Sequence, residues 1–108
     1  MKTLKEKLYE KILVWRPRIN KLLEEYGDVR VDYVTVEKLI GGMRDLQCLV
    51  TDISYLDPKA GIRYRGYTLP ELFKVLPRPK GAEMPYVEGI LYLLLTGDLP
   101  TENDVADV

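Results

Sequence analysis

The amino-acid sequence predicts a mainly α-helical chain of amphipathic helices with one short β-hairpin near residues 46–65. Three observations carry that reading. Apolar residues recur every three or four positions over residues 3–26, and helix-capping patterns open at Thr35, Thr68 and Thr101. Only around 46–65 does the period shorten, where β-branched residues flank the turn sequence Asp57-Pro58-Lys59-Ala60-Gly61.

Over the first segment, Leu4, Leu8, Ile12, Trp15, Ile19, Leu22, Leu23 and Tyr26 fall on one helical face, giving an amphipathic arm helix within residues 1–26. Trp15 is expected to pack in a core as part of that stripe. Pro17 removes one backbone hydrogen bond and crowds the preceding turn, which predicts a kink or break near Trp15–Arg16. Gly27 is expected to end the helix by taking positive φ. Residues 35–108 then hold further helices and the hairpin. Thr35 caps a short helix Val36–Ile40, with Glu37 favoured in its positive first turn and Gly41-Gly42 ending it. Leu46–Tyr55 and Ile62–Arg65 read as two short strands, the second presenting Arg63 and Arg65 on one face and Ile62 and Tyr64 on the other.

Thr68 caps the next helix, where Pro70 and Glu71 suit the first turn and Leu69, Leu72, Phe73 and Leu76 supply the apolar side. Pro77-Arg78-Pro79-Lys80-Gly81 is an extended linker. Tyr86–Thr96 is a helix apolar nearly all round, which demands cover on most sides, and Gly97 ends it. Thr101, with Glu102 and Asp104 behind it, opens a last helix with an approximate capping box. The sequence stops at Val108 about two turns later, too short a helix to stand alone. A truncated piece of a longer protein is therefore expected, and the six acids without a base from Gly81 onward fit missing partner surface.

Composition narrows the function. Sixteen Lys and Arg against seventeen Asp and Glu give a net charge of −1, which argues against nucleic-acid binding, where a basic excess displaces counterions. Residues 1–26 carry seven basic and four acidic side chains, so the arm is positive and the remainder negative. The one cysteine, Cys48, excludes an intrachain disulfide, and Glu6 and Glu10 are unlike an acid-poor transit peptide; both point to a cytoplasmic protein. The apolar run Ile90–Leu95 is too short to span a bilayer, so no membrane association is expected. With no histidine, one Cys and one Ser (Ser54), the chain cannot assemble a Ser-His-Asp or Cys-His constellation or a histidine-containing metal site. No metal and no cofactor is expected.

Gly41-Gly42-Met43-Arg44, Leu49-Val50, Ser54-Tyr55-Leu56-Asp57-Pro58, Gly61-Ile62-Arg63-Tyr64-Arg65-Gly66-Tyr67, the block Glu88–Gly97 and Pro100-Thr101-Glu102 together resemble, in order and spacing, the amino-terminal region of citrate synthases. The longer, mitochondrial-type branch is the better match, because Gly61 is followed directly by Ile62-Arg63 without the extra Leu of the hexameric branch. The resemblance covers residues 3–108 and is strongest over 41–102. It implies that the chain is part of a larger all-α enzyme, a homodimer that condenses acetyl-CoA with oxaloacetate to citrate and CoA. In that family an Asp acts as base on the acetyl methyl group and two His residues stabilise the enol and polarise the oxaloacetate carbonyl. This sequence has no His, and none of its Asp residues stands in the family's catalytic motif, so no catalytic residue carries over and the chain alone is expected to be inactive.

One binding residue does carry over. The arginine of the Gly-Gly-Met-Arg motif, here Arg44, helps to hold the CoA phosphates in the family, a task suited to a planar, permanently charged fork of donors. An ion pair of Arg44 with Asp45 or Asp52 is the alternative. Arg63 and Arg65 read as parts of a structural hairpin. Competing functions are a methylcitrate synthase, a freestanding module whose positive helix 4–26 docks on a partner, and RNA binding through Arg63-Tyr64-Arg65 and Tyr67, which net charge opposes.

Overall fold

Every capping signal in the sequence opens a helix. The computed structural model describes residues 1–108, with elements in the order α1 (Leu4–Tyr26), α2 (Val36–Ile40), β1 (Ser54–Asp57), β2 (Gly61–Tyr64), β3 (Tyr67–Thr68), α3 (Leu69–Val75), α4 (Val87–Thr96) and α5 (Glu102–Asp107). Thr35 accepts a hydrogen bond from Lys38 N, while Thr68 with Glu71 and Thr101 with Asp104 form complete capping boxes. A further box, not foreseen, opens α1: Thr3 N donates to Glu6 Oε2 at 2.8 Å and Glu6 N to Thr3 Oγ1 at 3.2 Å. The fold class is as expected, mainly α with a small antiparallel sheet.

Contacts divide the chain into two compact units, Met1–Val14 with Thr51–Val108, and Trp15–Val50. In the first, the sheet order is β1-β2-β3. Strands β1 and β2 pair in register Ser54↔Tyr64 through Asp57↔Gly61. Asp57 shapes their turn by accepting Lys59 N at 2.8 Å and Ala60 N at 2.7 Å. Arg65 and Gly66, both at positive φ (50° and 87°), form the two-residue turn to β3. Helices α3, α4 and α5 enclose a small core: Leu72, Leu76, Tyr92, Leu93 and Val105 are buried, with Tyr64, Tyr67 and Ile90 packed beside Leu72, Leu76 and Leu93. Gly97 takes the left-handed φ of 81° that ends α4, as its position predicted.

The amino-terminal turns of α1 bury no residue and meet this unit through polar contacts. Leu4 N donates to Asp107 Oδ2 at 2.6 Å, Lys7 Nζ to Asp104 Oδ1 at 3.0 Å, and Lys11 Nζ to Asp98 Oδ1 at 3.0 Å. Positions 4, 7 and 11, spaced by three and four, put all three residues on one helix face.

The second unit holds the rest of α1, then α2 and the segment up to Val50, with no residue fully buried. Several expectations are corrected. Helix α1 is continuous through Pro17, so there is no break near Trp15–Arg16: the turns on either side of the proline keep their own hydrogen bonds. Trp15 is 54% exposed and belongs to no core here, since the stripe it sits on has nothing buried beneath it. Gly27 ends the helix without positive φ; it is needed because a Cβ there would lie 2.4 Å from Leu23 O. Residues 46–53 form no strand, β1 beginning at Ser54, and β3 was not foreseen. Arg65 leaves strand geometry at the turn, so it does not share a strand face with Arg63.

Candidate functional site

Helix α2 and the loop behind it, both in the second unit, border a concavity of about 440 Å³ lined by Asp32, Tyr33, Lys38, Arg44 and Asp45 among others. The local sequence explains its shape. Gly41 ends α2 with its N–H donating to Glu37 O at 2.9 Å, and the chain then turns back so that Met43 N donates to Lys38 O at 2.7 Å. To do so it puts Gly42 at φ 76° and both Met43 and Asp45 at φ 62°. Glycine accepts that conformation freely, whereas Met43 and Asp45 each carry a cost of roughly 1 kcal/mol, a residue of Met type more than one of Asp type. Such backbone persists only where neighbouring bonds hold it.

Arg44 stands on this loop, exposed, and takes part in none of the chain's side-chain hydrogen bonds or ion pairs. Neither suggested partner engages it: Asp52 accepts Arg65 Nη1 at 3.0 Å, and Asp45 pairs with no cation. Of the other charges bordering the concavity, Asp32 and Lys38 neutralise each other, while Glu37 and Asp45 pair with no cation. Lys38 Nζ donates to both carboxylate oxygens of Asp32 at 2.9 Å and to Tyr33 O at 3.2 Å, and lies 5.5 Å from the Tyr33 ring centroid. The Lys38 ammonium, followed by the Tyr33 N–H, holds the Asp32 carboxyl below the usual carboxylate range. Arg44 is thus the cation of this concavity left free to meet an anion.

Arg63 and Arg65 are structural. Arg65 donates through Nε and Nη2 to Leu94 O, at 3.1 and 2.6 Å, and so satisfies a carbonyl at the open end of α4. Arg63 Nη1 donates to Gly66 O at 3.1 Å within the hairpin, which leaves no exposed arginine pair there for RNA. The Asp32–Lys38 pair escaped the sequence reading, because six residues separate the partners and only the fold of the 32–38 segment brings them together.

A sequence profile of the family described as citrate synthase, C-terminal domain, matches residues 42–108, beginning within the Arg44 loop. The chain is 43% identical over 105 residues to a probable mitochondrial citrate synthase of Caenorhabditis briggsae, and equally to one of Caenorhabditis elegans. It is 42% identical over 107 residues to the mitochondrial citrate synthase of Aspergillus niger. These alignments cover 97–99% of this chain but 22% of each relative, so the chain spans about a fifth of their length. The relatives' mitochondrial names overturn the cytoplasmic placement expected above. A lone cysteine excludes an intrachain disulfide, and that condition does not distinguish one reducing compartment from another.

Proposed function

The chain belongs to the citrate synthase family, and we propose that it is the amino-terminal part of such an enzyme, the whole of which condenses acetyl-CoA with oxaloacetate to give citrate and free CoA. Within that enzyme Arg44 contributes a contact to the CoA phosphates. The observation that carries this reading is the unpaired guanidinium held out on a strained loop inside the matched segment. A flexible surface arginine needs no such scaffold, whereas a phosphate fork gains from having its backbone fixed.

The chemistry is assigned to residues outside this chain. Proton abstraction near neutral pH needs a base whose acidity is pushed toward neutrality. Here every carboxylate with a resolved change moves the other way: Glu6, Asp32, Asp57, Glu71 and Asp104 are all made more acidic by caps, turns or lysine. There is no histidine to act as electrophile. The apolar surface left open on α1 and α4, including Ile12, Trp15, Leu22, Leu91 and Leu95, supports assembly into a homodimer or higher association.

Two measurements test the reading. Purified 1–108 should release no thiol from acetyl-CoA in the presence of oxaloacetate, and oxaloacetate-dependent turnover surviving a contaminant control would sink it. In the full-length enzyme, Arg44→Ala should raise KM for acetyl-CoA about tenfold, the loss of one charge-assisted contact, and leave KM for oxaloacetate nearly unchanged. Equal effects on both substrates remove Arg44 from the CoA site.

A further inference from the structure

Resting on the reading of Arg44 as a phosphate contact, we propose that Asp32 and Lys38 are positioning residues that hold the Arg44 loop in its binding shape, and that Lys38 does not itself bind the anion. The chain of bonds is continuous. Asp32 Oδ1 accepts Tyr33 N at 2.7 Å, fixing its own carboxylate, and both its oxygens grip Lys38 Nζ at 2.9 Å. Lys38 is fixed a second time by its backbone N–H, which donates to Thr35 Oγ1 at 3.2 Å. Its carbonyl then accepts Met43 N at 2.7 Å, the bond that turns the chain back after Gly42. Arg44 follows directly, between two non-glycine residues at φ 62°.

The pair is well placed for that work and poorly placed for another. The side chains of Lys38 and Asp32 are 21% and 20% exposed, so the pair is shielded enough to keep its geometry. All three ammonium hydrogens of Lys38 are used, two on Asp32 and one on Tyr33 O, which leaves none to offer a phosphate. The left-handed Met43 is held by two backbone bonds, its N–H donating to Lys38 O at 2.7 Å and its carbonyl accepting Leu46 N at 3.3 Å; the shorter one is only as firm as Lys38 itself.

The sign of one substitution separates positioning from charge. If electrostatics alone governed the site, Asp32→Asn would delete a negative charge near the anion and lower KM for acetyl-CoA. Positioning requires the opposite. In the full-length enzyme, Asp32→Asn should raise KM for acetyl-CoA about fivefold, with kcat and KM for oxaloacetate nearly unchanged. Lys38→Met should do the same, and neither should worsen Arg44→Ala further, because all three act through one guanidinium. An acetyl-CoA KM that falls or stays level in Asp32→Asn, while Arg44→Ala raises it, overturns the inference. So does a multiplicative double variant. An Arg44→Ala enzyme with unaltered KM defeats the phosphate reading itself, and the inference with it. Should Asp32→Asn fail to fold, hydrogen exchange at the Met43 amide in Lys38→Met gives the second reading: acceleration is expected, and unchanged protection overturns the proposal.

Discussion

Replacing Asp104 by Asn should cost about 2 kcal/mol of stability at pH 7, and that cost should vanish in acid. Asp104 is 6% exposed, and each of its oxygens has a task. Oδ2 accepts Thr101 N and Thr101 Oγ1, both at 2.8 Å, and Oδ1 accepts Lys7 Nζ at 3.0 Å. Led by the Thr101 N–H, these donors outweigh the penalty of burial and bring the Asp104 carboxyl from 3.8 down to about 2. At about 1.4 kcal/mol per tenfold change in acidity, this corresponds to roughly 2 kcal/mol favouring the ionised, folded state. A folded value below the unfolded one contributes its full stability above about pH 4 and loses it as pH falls toward 2. Asn keeps the shape and one acceptor oxygen but removes the charge and turns an amide N–H₂ toward donors. Urea unfolding of 1–108 followed by helical circular dichroism, at pH values from 7 to 2, measures the difference between the two proteins. A deficit that is the same at every pH would mean that Asn disrupts packing and that the charge-assisted bonds contribute little. A deficit under about 0.5 kcal/mol at pH 7 would show that the buried carboxylate gains nothing net from its donors.

Other outcomes follow from the same contacts. Lys7→Met should cost less than Asp104→Asn, about 1 kcal/mol, since lysine is not the leading cause of the Asp104 shift; an equal or larger loss in the same urea titration contradicts that ranking. Arg65→Lys should destabilise by roughly 1–2 kcal/mol, because an ammonium cannot reproduce the fork that joins Leu94 O to Asp52, and a thermal midpoint matching the parent refutes it. The isolated 1–108 chain should self-associate at tens of micromolar, as its exposed Trp15, Leu22, Leu91 and Leu95 are paired with a core of few buried side chains. Light scattering on a size-exclusion column would disprove this by showing a monomer whose unfolding does not depend on concentration.

What could be read in the sequence was what local chemistry dictates. A Thr followed three residues later by a carboxylate satisfies free N–H groups wherever it occurs, so α3 and α5 were legible at Thr68 and Thr101, and Gly97 marked the end of α4. The Thr3–Glu6 box obeys the same rule and could have been found by it. Arg44 was legible as a motif residue, through the order of blocks around it. Its freedom from partners was not, because the rival pairing depended on where Asp52 lay, and Asp52 is taken by Arg65.

The sequence by itself determined that this chain is a mainly helical member of the citrate synthase family, since caps, apolar period and ordered motifs are local or linear properties. Only the tertiary structure decided which polar groups meet across long separations: Lys7 with Asp104, Arg65 with Leu94 O, and the fixing of Lys38 by Asp32 beside Arg44. It also decided that Trp15 stays exposed and that Pro17 does not break α1. The physical reason is the same in each case. Helical period states which residues share a face, but whether that face is buried, and which charge stands opposite, depends on surfaces contributed from elsewhere in the fold.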